Sequence, residues 1–161
     1  MSRESRGARF ARLPGCAART RHGAGVSVEQ SPRVVEVVAA VIEDADRFLL
    51  TRRQAGVHLE GMWEFPGGKV DRGETAHRAL ARELREELDV DVEVGEQMFR
   101  TRHAYPDRTV ELSFYRCRLR SSPRPLLGQE MRWVPRAELS SLGFPPADTE
   151  FIAMLIRADG R

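Results

Sequence analysis

The chain has 161 residues, 41% of them hydrophobic and 31% charged, and carries a formal net charge of +2. That length supports one core of ordinary size and is too short for two comfortable domains. No apolar run approaches the ~20 residues of a membrane-spanning helix, and Cys16 and Cys117 are too few for a disulfide framework. These features exclude a helical membrane protein and a disulfide-stapled module; they fit a cytoplasmic protein with two unpaired thiols.

Charge is unevenly placed. Residues 1–33 hold seven arginines against Glu4 and Glu29, which leaves the remainder at −3. Rich in Gly, Ser and Arg, this stretch reads as a disordered basic extension, with a transit peptide or a nucleic-acid arm as alternatives. Because Lys69 is the only lysine among 26 basic residues, arginine richness is a habit of the whole chain and weak evidence of an address. Residues 34–161 are therefore taken as the folded domain.

In chain order, VVEVVAAVI (34–42) is a nearly continuous β-branched run, as in a strand buried on both faces. A polar turn at Asp44 to Arg47 leads into FLLTRR, a second strand of a hairpin. QAGVHLEGMW reads as loop, and EFPGGKVDRGE, with Pro66, Gly67 and Gly68, as a tight loop with exposed backbone. From Thr75 to Leu88 the period is helical, with Ala76, Leu80, Leu84 and Leu88 in one apolar stripe and Thr75 or Glu74 at its start. Two strands follow, VDVEVGEQMFRTRHAY and RTVELSFYRCRL. In the second, the apolar positions switch from Val110, Leu112 and Phe114 to Tyr115, Cys117 and Leu119, which calls for a bulge or for burial on both faces. EMRWV is a short strand, and Thr149 to Arg157 a final helix. This order predicts an α+β, αβα-layered domain.

The segment RELREELDV crowds acids within the central helix. Glu83 lies three and four residues from Glu86 and Glu87, where like charges repel. Placed on one face, roughly opposite the leucine stripe, such carboxylates suit Mg²⁺ or Mn²⁺, which prefer hard oxygen ligands and keep water or phosphate oxygens in their shell. Arg82 can reach Glu86 one turn later, Lys69 offers a point charge to phosphate, and the glycines let backbone approach an ion closely. A glutamate cluster alone is more often a solvated face.

Spacing overturns that plain reading. Gly68, Glu74, Arg82, Glu83, Leu84, Glu86, Glu87 and Val90 stand at the intervals of the Nudix box; chance agreement has odds on the order of 10⁻⁴. With YPDR and FPPAD, residues 34 to 156 resemble the MutT-type branch of the Nudix hydrolases. The resemblance implies an αβα sandwich around a mixed sheet. It implies cleavage of a nucleoside triphosphate, most simply 8-oxo-dGTP, to monophosphate and pyrophosphate, with CTP, dCTP or another nucleoside diphosphate derivative as alternative substrate. A non-catalytic nucleotide sensor on this fold is a further alternative, and it would have no need of the complete carboxylate set.

By position, the resemblance assigns metal to the Gly67 carbonyl with Glu83, Glu86 and Glu87, and gives Glu83 a second role as proton acceptor. Arg53, His58, Glu64, Phe65, Pro66, Gly67, Lys69, Arg108 and Asp148 fall at nucleotide-contacting places. Asp148 is equally placed to cap the last helix. Trp63 and Phe65 are aromatic enough to pack on a base or to anchor the core. Where the branch carries an acid before a Gly-Gln pair, this chain has Leu127, with Glu130 nearby as a substitute; Glu74 and Arg82 complete the box. Asp89 replaces the box's closing glycine and is expected to strain or shift the helix end slightly while leaving the ligands intact. No stable nucleic-acid or membrane partner is expected, and the protein is a monomer or homodimer.

Overall fold

A long strand organises the molecule. In a computed structural model describing residues 32–158, β1 (Arg33–Asp44) runs through the centre of a mixed sheet. The basic extension read over residues 1–33 lies, apart from Pro32 and Arg33, outside the described residues; Arg33 itself opens β1. The hairpin partner is β2 (Arg47–Arg52), joined through Ala45 and Asp46, both at positive φ, the twist that closes a two-residue hairpin. On its other side β1 pairs in parallel with β6 (Arg108–Leu119), which pairs antiparallel with β5 (Val92–Ala104).

Two short strands occupy what the sequence presents as loop. β3 (Trp63–Glu64) pairs with β2, and β4 (Gly67–Lys69) pairs antiparallel with Val37 to Ala39 of β1. The glycines permit this pairing: a Cβ on Gly67 would stand 2.0 Å from the Val38 carbonyl oxygen. β7 (Met131–Pro135) adds to β2, with Glu130 just outside the strand.

Both faces of the sheet are covered. α1 (Ala76–Leu88) buries Ala79, Leu80, Leu84 and Leu88 against Val38, Ala40, Ile42 and Leu49. α2 (Thr149–Arg157) buries Phe151, Ile152 and Leu155 against Ala39, Val41, Phe48, Leu50 and Phe114 on the opposite face, while Ile156 is exposed. Each fully buried leucine of α1 contributes about 2 kcal/mol from the area it removes from water. The switch in β6 is burial on both faces: Leu112 and Phe114 pack in the α2 layer, Cys117 and Tyr115 in the α1 layer. The irregularities of register belong to the neighbouring β5, between Val94 and Phe99. This is the αβα sandwich the sequence predicts.

Thr75 caps α1, its Oγ1 accepting the Arg78 N–H at 3.3 Å. At the other end Asp89 itself adopts the left-handed conformation (φ 49°, ψ 43°), and its N–H donates to the Arg85 carbonyl at 3.1 Å. Of the strain or shift expected there, the strain is what the structure has, a non-glycine residue at positive φ, while the helix itself runs to Leu88. The Asp89 carboxylate pairs with Arg124, whose loop packs on the same helix terminus.

Candidate active site

Helical geometry sorts the three glutamates. At about 100° per residue, Glu87 and Glu83 stand roughly 60° and 100° from Leu84, flanking the buried stripe; Glu86 alone points away. The expectation that all three oppose the leucines is thus corrected. Glu83 has 16% of its side chain exposed and Glu86 60%. Flanking the stripe turns Glu83 and Glu87 toward β4, where the backbone of Gly67 and Gly68 lies. The Glu83 carboxylate rests directly on Gly68: a Cβ there would meet its Cδ at 2.3 Å.

Arg82 organises this edge. It forks onto Glu74 with Nε and Nη2 both 3.0 Å from the carboxylate oxygens, donates to Glu83 Oε1 at 2.9 Å and to the Lys69 carbonyl at 3.1 Å. Glu86, the partner expected one turn on, is reached at 3.4 Å. One guanidinium thus joins the loop before α1, strand β4 and the acidic helix face. Glu87 faces inward. Burial, reinforced by Glu83, Glu64 and Glu86, pushes its carboxyl up to about 8, against a backbone hydrogen bond from Gly67.

A cleft of about 380 Å³ runs from this edge across the sheet. Gly67, Gly68, Lys69 and Glu87 line one part of it; Tyr105, Ala147 and Asp148 line another. Arg53, His58 and Glu64 line it as well, and the charge of Glu64 acts on both Glu87 and Asp148. Arg53 forms an ion pair with Glu64 and donates from Nε to the His58 carbonyl at 2.7 Å. Burial raises the Glu64 carboxyl, and Arg53 opposes the rise. Asp148 is 5% exposed; burial first, then the charge of Glu64, raises its carboxyl to about 7. It makes no capping hydrogen bond to α2, so of the two roles weighed for it the cap is not realised.

Of the residues singled out from sequence, the cleft gathers Arg53, His58, Glu64, Phe65, Gly67, Lys69, Glu87, Arg108 and Asp148. Phe65 belongs mostly to the core, its ring packed among Phe48, Phe114 and Phe151. Pro66 does not line the cleft; its carbonyl accepts the Ala40 N–H at 2.8 Å. Trp63 is buried beneath Arg132, outside the cleft. Glu130 is half exposed on Arg52 at 3.3 Å and stands outside as well, so it does not fill the place left by Leu127. The cleft also takes in residues that sequence reasoning does not name as site residues, among them Tyr105, at the head of YPDR, and Gln129, of the Gly-Gln pair. Their motifs were visible, but their direction depends on how two loops fold back.

Among the described residues, no three His, Cys, Asp or Glu side chains converge into a ready-made coordination cluster. The donor set nevertheless fits a hard divalent cation. Glu83 and Glu87 bring carboxylate oxygens to the Gly67–Gly68 backbone, and the burial and like-charge repulsion that raise Glu87 are what a cation would offset.

Residues 37–154 match the family profile described as "NUDIX domain". The chain belongs to the Nudix family. An 8-oxo-dGTP diphosphatase of Escherichia coli K12 is 33% identical to this Nudix chain over 121 residues, covering 74% of it and 94% of the relative. A CTP pyrophosphohydrolase of the same organism is 42% identical over 80 residues, half of this chain and 59% of the relative. The solution structure of the E. coli ORF135 protein superimposes with a TM-score of 0.70 at 33% identity, covering 80% of this chain and 94% of that one.

Proposed function

We propose that this Nudix domain cleaves a nucleoside triphosphate to the monophosphate and pyrophosphate, with 8-oxo-dGTP as its preferred substrate, in the cytoplasm. The observation that carries the reading is that one cleft is lined both by a buried, readily protonated Asp148 and by Glu87 of α1. The family membership and the 8-oxo-dGTP diphosphatase relative support it.

Glu83, Glu86, Glu87 and the Gly67 carbonyl are the donors assigned to Mg²⁺, or Mn²⁺ in its place. When bound, the cation supplies neutralisation of phosphate charge and acidification of water. The chain's own groups do the rest. Glu83, laid on Gly68 and held by Arg82, accepts the proton of the attacking water. Lys69, Arg53 and Arg108 meet the phosphates with fixed positive charge. A neutral Asp148 donates to a carbonyl oxygen of the base while its other oxygen accepts an N–H, a pairing that oxidised guanine offers.

The test is pyrophosphate release with Mg²⁺ from a panel of canonical and oxidised nucleoside triphosphates. The expected result is a higher kcat/KM for 8-oxo-dGTP than for dGTP or dCTP; parity would overturn the base assignment alone. Unchanged hydrolysis in Glu86→Gln would overturn the catalytic one. The similarity to a CTP pyrophosphohydrolase favours a second reading, in which an ionised Asp148 accepts from the amino group of cytosine. It predicts that CTP or dCTP leads the panel, more so at pH 8 than at pH 6.

A further inference from the structure

The last carbonyls of a helix have no intrahelical donor, and in α1 the segment between β6 and β7 supplies them. The Arg124 N–H donates to the Leu88 carbonyl at 2.7 Å and the Leu126 N–H to the Glu87 carbonyl at 2.9 Å. That Glu87 carbonyl then accepts a second bond, from Gln129 Nε2 at 3.0 Å, while Gln129 Oε1 accepts the Leu127 N–H at 2.9 Å. The partners fix the amide's orientation, since a flip would set oxygen against carbonyl and nitrogen against N–H.

Gln129 is partly buried in a stretch, 124–130, that is otherwise exposed, and it lines the cleft together with Glu87. An ordinary cap needs one donor per carbonyl, and Leu126 already provides it. The extra donor is a side chain in the cleft, and the residue whose carbonyl it holds has its own carboxylate turned into that cleft. Its other end is anchored to the backbone of Leu127, whose carbonyl in turn accepts from Gln54 across the opening.

The geometry points to Gln129 as a positioning residue for the hydrolase proposed above, on which this inference rests. Its amide fixes the main chain of Glu87, and so the direction of that carboxylate, relative to Gly67 and Gly68. It acts through Glu87 and does not touch the reacting atoms.

Gln129→Met keeps the length and packing but loses both hydrogen bonds, and Gln129→Ala removes the side chain. Mn²⁺ affinity of the nucleotide-free protein, read by electron paramagnetic resonance, is measured beside kcat, KM and Tm. Both variants are expected to weaken Mn²⁺ binding and lower kcat by about 10–100-fold, as loss of a ligand-orienting partner does, with KM within about threefold of wild type. A fall in Tm alone, with Mn²⁺ affinity and kcat unchanged, would show a plain helix cap and overturn the inference. So would a raised KM at unchanged kcat and Mn²⁺ affinity, the mark of a direct substrate contact. Should the wild type hydrolyse no nucleotide, the functional reading fails while the Mn²⁺ titration still decides the role of Gln129.

Discussion

Glu83 lies on Gly68 so closely that a single methyl group at position 68 would occupy the space of its carboxylate, with Cβ 2.3 Å from Cδ. Its neighbour Gly67 is crowded by backbone instead, and a Cβ added there would stand 2.0 Å from the Val38 oxygen. Adjacent glycines are therefore required for different reasons. Gly67→Ala forces β4 off β1 and is expected to cost about 2–4 kcal/mol in urea unfolding. Gly68→Ala displaces only the end of a flexible side chain, so stability changes by less than about 1 kcal/mol while kcat falls about 100-fold. Equal loss of stability in the two variants would refute the distinction.

The acidic edge should respond to metal in a pH-dependent way. Glu87 holds its proton up to about pH 8 in the metal-free fold, and a cation binds only the ionised form. Mg²⁺ binding therefore releases a proton below that value, and affinity rises with pH by up to about tenfold per unit. The Tm gain from Mg²⁺ is expected to grow between pH 6 and pH 8. An identical gain at both would sink the assignment of Glu87 as a ligand.

Asp148 carries the opposite lesson, because no cation is assigned to it and the charge of Arg53 offsets only part of the burial. Burial raises its carboxyl from 3.8 to about 7, so the fold favours the protonated form. Below pH ~4 the folded and unfolded chains are both protonated there and no penalty arises. Stability is then lost as pH rises toward about 7, where the loss is complete. Asp148→Asn should match wild type at pH 4 and exceed it at pH 8, by at most about 4 kcal/mol. Thermal unfolding without divalent cations checks this, and an offset independent of pH would contradict it.

Outside the cleft, Arg136 ties three segments together. Its guanidinium lies 2.5 Å from Glu43 and from Asp46, 3.0 Å from the Leu155 carbonyl and 4.8 Å from the Phe48 ring centre, with 12% of the side chain exposed. Arg136→Ala leaves two acids facing each other around a vacated arginine and should cost about 2–4 kcal/mol. The kcat/KM of the folded protein is expected to stay within about twofold; a larger change would link this corner to the cleft.

Much of this was legible in the chain before any coordinates. The four-residue recurrence from Ala76 to Leu88 sets α1, and the threonine before it is its cap. Both are local rules, set by helical pitch and by backbone donors one turn away. The left-handed conformation of Asp89 was legible for the same reason, since few residues tolerate it. The short strands β3 and β4 were not, because glycine and proline signal loops unless a distant strand offers its edge.

Sequence alone therefore determined the αβα order, the family and the acids of α1, since each rests on spacing and order along the chain. Only the tertiary structure decided which acids face inward, that Asp148 turns to the cleft instead of capping α2, that Glu130 stays on Arg52, and that Gln129 grips the Glu87 carbonyl. Those outcomes join residues far apart in the chain, Arg52 and Glu130 by 78 positions. Burial and proximity at that range arise from packing two helices on one sheet, and no local periodicity encodes them.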